Sequence, residues 1–453
     1  MLILNFQFSI LNFQNMKVLK FGGTSIGSAE CIKNVARLIN NGERKIVIFS
    51  ALSGTTNTLV EISDYLYKKN LDGANEIINQ LERTYQNHVQ QLYATDEYRK
   101  KANAILGEYF ETIRSYTKDL FTLFEEKVIL AQGELMSSSI IQLYLEEQKI
   151  NSVLIPALDF MRTDKNSEPD PVYIKDKLSK LIDDKKDFET YITQGYICRN
   201  AYGEIDNLER GGSDYSASLI GAALQAEEIQ IWTDIDGMQN SDPRYVEKTS
   251  PVRNLQFEEA AELAYFGAKI LHPTCILPAK LNRIPVRLLN TMQPEAPGTL
   301  ISNRMEKGKI KAVAAKDNIT VIQVKSGRML LAYGFLRKVF EIFENYQTAI
   351  DMVATSEVGV SITIDNQKHL QEITDDLRKY GTVAIDQDMT IICVVGDLEW
   401  ENLGFESKII ETLKDIPIRM ISYGGSNYNV SLLVKSSDKK RALQLLSEKL
   451  FEN

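Results

Sequence analysis

The chain has 453 residues, 44% hydrophobic and 25% charged, with a formal net charge of −9. That length allows two or three domains, the composition is that of an ordinary globular protein, and the acidic balance argues against a nucleic-acid surface. The four cysteines, Cys31, Cys198, Cys275 and Cys393, are scattered without a C-x-x-C pair, which points away from a metal cluster or disulfide framework and towards a reducing, cytoplasmic setting.

Residues 1–15 carry no charge. They lack the basic region and small-residue cleavage site of a signal peptide and are too short to span a bilayer, so Met16 is the expected natural start. Val18–Phe21 reads as an apolar strand running into Gly22-Gly23-Thr24-Ser25. Ile32, Val35, Ala36 and Ile39 then recur at helical spacing, and Ile46–Phe49 is a second strand ending in a small-residue loop, Ser50 to Thr56. Strand, glycine loop, helix and strand in that order predict an α/β fold with a mainly parallel sheet. Residues 58 to 148 read as one long helical region, with Ile77, Leu81, Tyr85, His88 and Leu92 on a shared face. His88 is therefore expected at a core boundary. Strands resume at Ser152–Pro156, Tyr191–Thr193, Ile229–Trp232 and Pro285–Leu289, and Pro294 with Pro297-Gly298 suggests a linker.

The remainder contains an internal repeat. Thr320 and Thr390, Gly334-Phe335 and Gly404-Phe405, Lys338 and Lys408, Ser356 and Ser426, and Val360-Ser361 and Val430-Ser431 are all 70 residues apart. Each copy approximates a ferredoxin-like βαββαβ unit, with the last strand clear only in the first copy, at Val383–Ile385. Ile310–Ala315 is an extra strand that is expected to pair with the second copy.

Three loops carry chemistry-bearing residues. Lys20-Phe21-Gly22-Gly23-Thr24-Ser25 puts a lysine at a strand end beside two glycines and two hydroxyls. Glycines let backbone amides approach an anion, and lysine supplies a point charge for a transferring phosphoryl group. Arg210-Gly211-Gly212-Ser213-Asp214 again joins a cation to glycines and adds a carboxylate at a helix start, while Trp232-Thr233-Asp234 leads through Asp236-Gly237 to Asp242-Pro243-Arg244. Each alone is equally what a tight turn looks like; three at the strand ends of one sheet suggest a nucleotide site. There is no G-x-x-x-x-G-K-[ST] loop and no protein-kinase H-R-D or D-F-G set, so a different phosphotransferase scaffold is required.

These loops, with Gly133-Glu134 and the run Phe266-Gly267-Ala268-Lys269-Ile270-Leu271-His272-Pro273, resemble in order the signature series of aspartate kinases of the amino-acid kinase superfamily. The resemblance covers the chain from about Met16 onward, and the duplicated C-terminal unit resembles that family's paired ACT domains. It implies a three-layer amino-acid-kinase-like fold over 16–305, with ferredoxin-like ACT units over 306–384 and 385–453. It implies phosphoryl transfer from ATP with Mg²⁺ to L-aspartate, with Lys20 and Asp214 catalytic. Thr24, Ser25, Glu134, Arg210, Gly211, Gly212 and Ser213 would bind the amino acid, with no protein-built metal site. Lys20, Gly22, Gly23, Ser25, Thr233, Asp234, Arg244 and Lys269 would contact ATP. Met329, Gly334, Phe335, Leu336, Asp351, Thr355, Ser356 and Glu357 resemble an effector stretch for lysine, with threonine as the alternative effector. Asp351 would pair with the effector's ammonium unless it is a solvated turn residue, and its second-copy counterpart is Ile421. A homodimer or larger homo-oligomer through the ACT units is implied, with neither nucleic acid nor membrane as partner. His272 is expected to be structural. The chain departs from the family pattern at Glu209, at Gly195-Tyr196-Ile197-Cys198 and at Gln239. Glu209 and Gln239 motivate a rival reading, a catalytically silent amino-acid sensor on a kinase scaffold. A glutamate-directed kinase is disfavoured by the paired ACT units and the Phe266–Pro273 run.

Overall fold

The computed structural model describes residues 16–118, 120–208, 211–267, 272–326 and 333–451. The chain forms two compact units, Met1–Gly237 with Leu271–Asn303, and Met238–Ile270 with Arg304–Asn453. In chain order it begins β1 (Lys17–Phe21), α1 (Ala29–Ile39), β2 (Lys45–Phe49), α2 (Thr55–Tyr67), α3 (Leu71–Leu92), α4 (Asp96–Ser115), α5 (Leu123–Glu147) and β3 (Ser152–Leu154). It continues with α6 (Pro171–Asp183), β4 (Thr190–Gln194), β5 (Ile197–Arg199), β6 (Ile205–Asn207), α7 (Gly212–Leu224) and β7 (Glu228–Thr233). β8 (Asn254–Gln256) and α8 (Phe257–Tyr265) belong to the second unit, while α9 (Pro273–Leu281), β9 (Val286–Asn290) and β10 (Thr299–Ser302) return to the first.

Strands of the first unit lie in the order β3-β4-β2-β1-β7-β9-β10. Every pair is parallel except β10 on β9. A parallel sheet covered on both faces needs strands that are apolar on both, and β2 and β4 are buried at every residue. Phe21, Phe49 and Trp232 stand side by side in register and stack at 5.9 and 5.7 Å between ring centroids. This aromatic row anchors the carboxyl ends of β1, β2 and β7, where ligands of open α/β sheets bind.

The long helical region consists of the four helices α2 to α5. Asn70 caps α3 by accepting from the Gly73 amide at 3.0 Å, and a capping box at Thr122 and Glu125 starts α5. His88 is half-buried, and burial lowers its pKa, as befits a neutral boundary residue. Helix α5 has the length and apolarity of a membrane span, yet 78% of that window is buried inside protein, so it serves as a core helix that carries Glu134. The expected linker at Pro297-Gly298 is instead a tight turn. Gly298 has φ +64°, a Cβ there would lie 1.9 Å from the Leu288 carbonyl oxygen, and β10 returns antiparallel on β9.

The second unit contains β11 (Ile310–Lys325), α10 (Phe335–Asn345), β12 (Val353–Ser356), β13 (Gly359–Ile364), α11 (Leu370–Arg378), β14 (Thr382–Gly396), α12 (Phe405–Thr412), β15 (Met420–Ser422), β16 (Asn429–Lys435) and α13 (Lys439–Phe451). Its antiparallel sheet runs β12-β13-β11-β14-β16-β15. The two long strands serve both copies of the repeat. Thr382–Asp386 of β14 pairs with the end of β11 in the first copy, and Ile391–Gly396 pairs with Ile310–Lys316 in the second. The extra strand therefore does pair with the second copy and supplies the strand that copy lacks.

Candidate active site

Lys20 is the penultimate residue of the central strand β1, and its Nζ lies 2.6 Å from Asp214 Oδ1 at the start of α7. The two side chains are 12% and 17% exposed, so the pair is largely shielded from solvent. The glycines permit the approach of the loops. A Cβ on Gly23 would lie 2.9 Å from the Ala51 carbonyl oxygen in the loop after β2. One on Gly195, just after β4, would meet Ser213 Oγ at 2.4 Å. Gly211 and Gly212 have φ of +78° and +48°, and a Cβ on Gly211 would lie 2.0 Å from Cys275 Sγ. Only residues without a side chain let α7 enter so close to the sheet. The Ser50 hydroxyl donates to Ser213 Oγ at 2.9 Å, joining the loop after β2 to the same helix start.

Glu134 is 3% exposed on α5. Its Oε1 accepts from the Ala51 amide at 3.2 Å, and its Oε2 has no hydrogen-bond partner. Burial pushes its carboxyl up to about 8, opposed by hydrogen bonds from the Ala51 and Glu134 amides and by the charge of Lys20. A buried carboxylate oxygen without a donor is costly unless a cationic ligand completes it. Around it, Ser137 donates to the Ser50 carbonyl at 2.7 Å and Ser138 to the Glu134 carbonyl at 2.8 Å, while Gln194 Nε2 reaches Ser138 Oγ at 2.7 Å. Tyr196, with φ +65°, has its phenol held near 12 by burial and by the Glu134 charge. The site thus pairs a lysine with a carboxylate and holds, within reach of that lysine's charge, a buried acid whose free oxygen suits an ammonium group.

Residues 15–290 match the amino acid kinase family, and residues 392–450 match an ACT domain. Aspartokinase 1, chloroplastic, of Arabidopsis thaliana is 33% identical over 96% of this chain and 80% of its own length. The chain belongs to the aspartokinases. Lysine-sensitive aspartokinase 3 of Escherichia coli is 30% identical, with 96% of this chain and 99% of that protein covered. Among solved structures, E. coli aspartokinase III in complex with aspartate and ADP (R-state) superposes with a TM-score of 0.83 at 30% identity, covering 96% of this chain and all (100%) of that one. The same enzyme with lysine and aspartate (T-state) gives 0.79, at 30% identity over 97% and 100% of the two chains.

In this aspartokinase the fold gathers Lys20, Gly22, Gly23, Glu134, Gly211, Gly212, Ser213 and Asp214 at the strand ends. Thr24 is exposed beside them. Ser25 differs from expectation: it is 1% exposed, and its hydroxyl bonds the Trp232 carbonyl at 3.3 Å and Thr291 Oγ1 at 2.7 Å. Ser25 ties the loop to the ends of β7 and β9, which leaves Thr24 as the hydroxyl open to a ligand. Thr233 ends β7 and donates to Asp234 Oδ1 at 2.9 Å, with Asp234 exposed. Arg244 lies in the second unit, forked onto Asp242 at 2.6 Å. Arg210, Lys269 and Met329 fall outside the described residues. His272 caps α9 by accepting from the Thr274 amide at 3.3 Å, a structural role. In the effector stretch, Gly334 caps α10 with φ +83°, Phe335 is buried and Leu336 half-buried, and Thr355, Ser356 and Glu357 are exposed. Asp351 is no solvated turn residue, because its side chain is 1% exposed and paired with Lys316 at 2.6 Å. The sequence reading missed Ser50, the Ala51 amide, Gln194 and Tyr196. The small-residue loop after β2 was visible, but an amide donor leaves no trace in residue type.

Proposed function

We propose that the chain transfers the γ-phosphoryl group of ATP to the side-chain carboxylate of L-aspartate, giving ADP and 4-phospho-L-aspartate. The observation that carries this reading is the buried Glu134 with its free Oε2, whose carboxyl feels the charge of Lys20, itself paired to Asp214. The acceptor carboxylate, with an ordinary pKa near ~3.9, is already ionised at neutral pH and needs no base. One of its oxygens attacks the γ-phosphorus as the bond to the bridging oxygen breaks and ADP leaves with that electron pair. Catalysis then reduces to alignment and charge neutralisation. Lys20 neutralises the transferring group, and Asp214 holds Lys20 in place. The glycine-loop amides and Thr24 face the phosphates. Glu134 receives the α-ammonium group, and Arg210 grips a substrate carboxylate as a bidentate fork. Thr233, Asp234, Arg244 and Lys269 contact ATP.

Among the described residues no group of three or more His, Cys, Asp or Glu side chains could hold a metal. Asp214 would be the protein carboxylate beside a magnesium ion brought in with the nucleotide, and that ion would supply neutralisation of phosphate charge. We further assign the catalytic domain to 16–305 and the ACT units to 306–384 and 385–453, joined into a homodimer or larger assembly in the cytoplasm. The E. coli relative is named lysine-sensitive, which supports lysine as feedback effector at the first step of lysine, threonine and methionine biosynthesis. The test is a hydroxamate trap with Mg·ATP and L-aspartate, with and without lysine. Turnover suppressed by lysine is expected, and no acyl phosphate would leave the silent-sensor reading in its place.

A further inference from the structure

Helix α5 carries Glu134 and, about two turns earlier on the same face, Lys127. Lys127 Nζ lies 2.5 Å from Asp206 Oδ1 on β6, and the two side chains are 22% and 10% exposed. Asp206 Oδ1 also accepts from the Asn207 amide at 2.7 Å. β5 and β6 form a hairpin in which Cys198 stands opposite Asp206. The β5 side is anchored by backbone bonds: the Arg199 amide donates to the Met161 carbonyl, and the Thr163 amide to the Arg199 carbonyl, both at 2.9 Å. β6 lies against α5 instead. Beside it opens a cavity of about 340 Å³, with Lys127, Asp206, Asn207, Leu208 and Tyr215 among its lining residues. On that side the hairpin leans on the ion pair and not on close-packed side chains.

The base of this hairpin reaches the acceptor site. Tyr196 immediately precedes β5, and its carbonyl accepts from the Leu208 amide at 2.7 Å. Its own amide donates to Ser216 Oγ of α7 at 2.9 Å. Its phenol bonds the Asn207 side chain and feels the Glu134 charge. A displacement of Asp206 is therefore passed through Asn207 and Leu208 to Tyr196, next to Glu134 and the helix that starts with Asp214. We propose that Lys127 and Asp206 are positioning residues. Their ion pair fixes the hairpin against α5, and so sets where Tyr196 and the start of α7 stand relative to Glu134, the group that receives the acceptor's ammonium. This rests on the catalytic reading above for the identity of the acceptor. Neither residue has a part in the phosphoryl transfer, so their effect belongs in the affinity for the acceptor.

The test is steady-state kinetics on the full chain, varying L-aspartate and Mg·ATP separately, with titration calorimetry of L-aspartate alongside. Lys127→Met and Asp206→Asn should each raise KM and Kd for aspartate about tenfold or more, since small misplacements near a binding site cost that much. KM for ATP and kcat should stay within about threefold, as expected for lost acceptor binding. Lys127→Arg, which keeps the charge, should stay near wild type. The double variant should cost about as much as either single one, because both remove the same interaction. A pair that only stabilises the fold would lower the melting temperature and leave both KM values in place. That pattern overturns the proposal, as does an aspartate Kd unmoved in Lys127→Met or a wild type that does not bind aspartate. Calorimetry reads binding without turnover, so absence of kinase activity would sink the catalytic reading, whereas turnover with unmoved aspartate affinity would sink only the positioning role.

Discussion

Burial holds the Glu134 carboxyl at about 8, with the Ala51 amide and the Lys20 charge pulling the other way. An ammonium ligand needs the ionised form, so binding must release a proton wherever the free enzyme is protonated. The affinity for L-aspartate should therefore rise about tenfold per pH unit up to about pH 8 and level off above it, the slope set by one proton. Calorimetry in buffers of different ionisation enthalpy checks this, and a flat affinity between pH 6 and 8 would remove Glu134 from the ammonium site. The same shift has the opposite consequence for stability. The unfolded chain loses this proton near 4.5 and the folded one near 8, so stability falls as pH rises across that window. The gap from 4.5 to about 8, at ~1.4 kcal/mol per unit, bounds the effect at about 5 kcal/mol. Glu134→Gln should melt higher than wild type at pH 8 while losing turnover, a trade expected where an acid is buried for function. Lys20→Ala should lower turnover by about a thousandfold or more with an unchanged circular dichroism spectrum, because it removes the cation facing the transferring group. Near wild-type rates would take Lys20 out of the mechanism.

At the scale of the element, α7 is the part whose placement the chemistry depends on. Its first turn carries Ser213 and Asp214, and it reaches the sheet only because Gly195 leaves room. Gly195→Ala would put a methyl 2.4 Å from Ser213 Oγ and push the helix start away from Lys20. Turnover should fall at least about tenfold while stability drops by about 1–3 kcal/mol, the range for overpacking. Parallel kinetics and denaturant titrations would show it, and full activity would mean that α7 can slide without loss. That glycine also marks how far the sequence could be read. β1, β2, β4, β7 and β9 were legible because strands buried on both faces leave runs of Val, Ile and Phe. The three-residue strands β5 and β6 leave no such run, and β10 hid behind a Pro-Gly pair that looked like a linker. The glycine loops were legible as loops, but not which atoms they brought together. Ala51 contributes a backbone amide, Ser25 turns inward, and the partners of Asp351 stand 35 and 86 residues away in sequence. Such contacts are made by tertiary packing and carry no local pattern.

Across the whole molecule, the duplicated part of the second unit does not form two copies with separate sheets. β11 and β14 each run through both copies, so the first copy's core around Ile322 and Ile362 and the second copy's core around Ile392 and Leu432 hang on the same two strands. Opening either copy frees one half of each shared strand, and each freed half is covalently continuous with a half still paired in the other copy. The two copies should therefore unfold as one cooperative unit, unlike tandem domains joined by a linker. Leu432→Ala, at a fully buried (0% exposed) position of β16, should cost about 2–5 kcal/mol as a large-to-small core change. If the strands couple the copies, amide exchange in β13 of the first copy should speed up by the same factor as in β16, although none of the β13 residues pairs with β16. Acceleration confined to the second copy would show that the shared strands can open in halves, so that a signal bound in one copy need not reach the other.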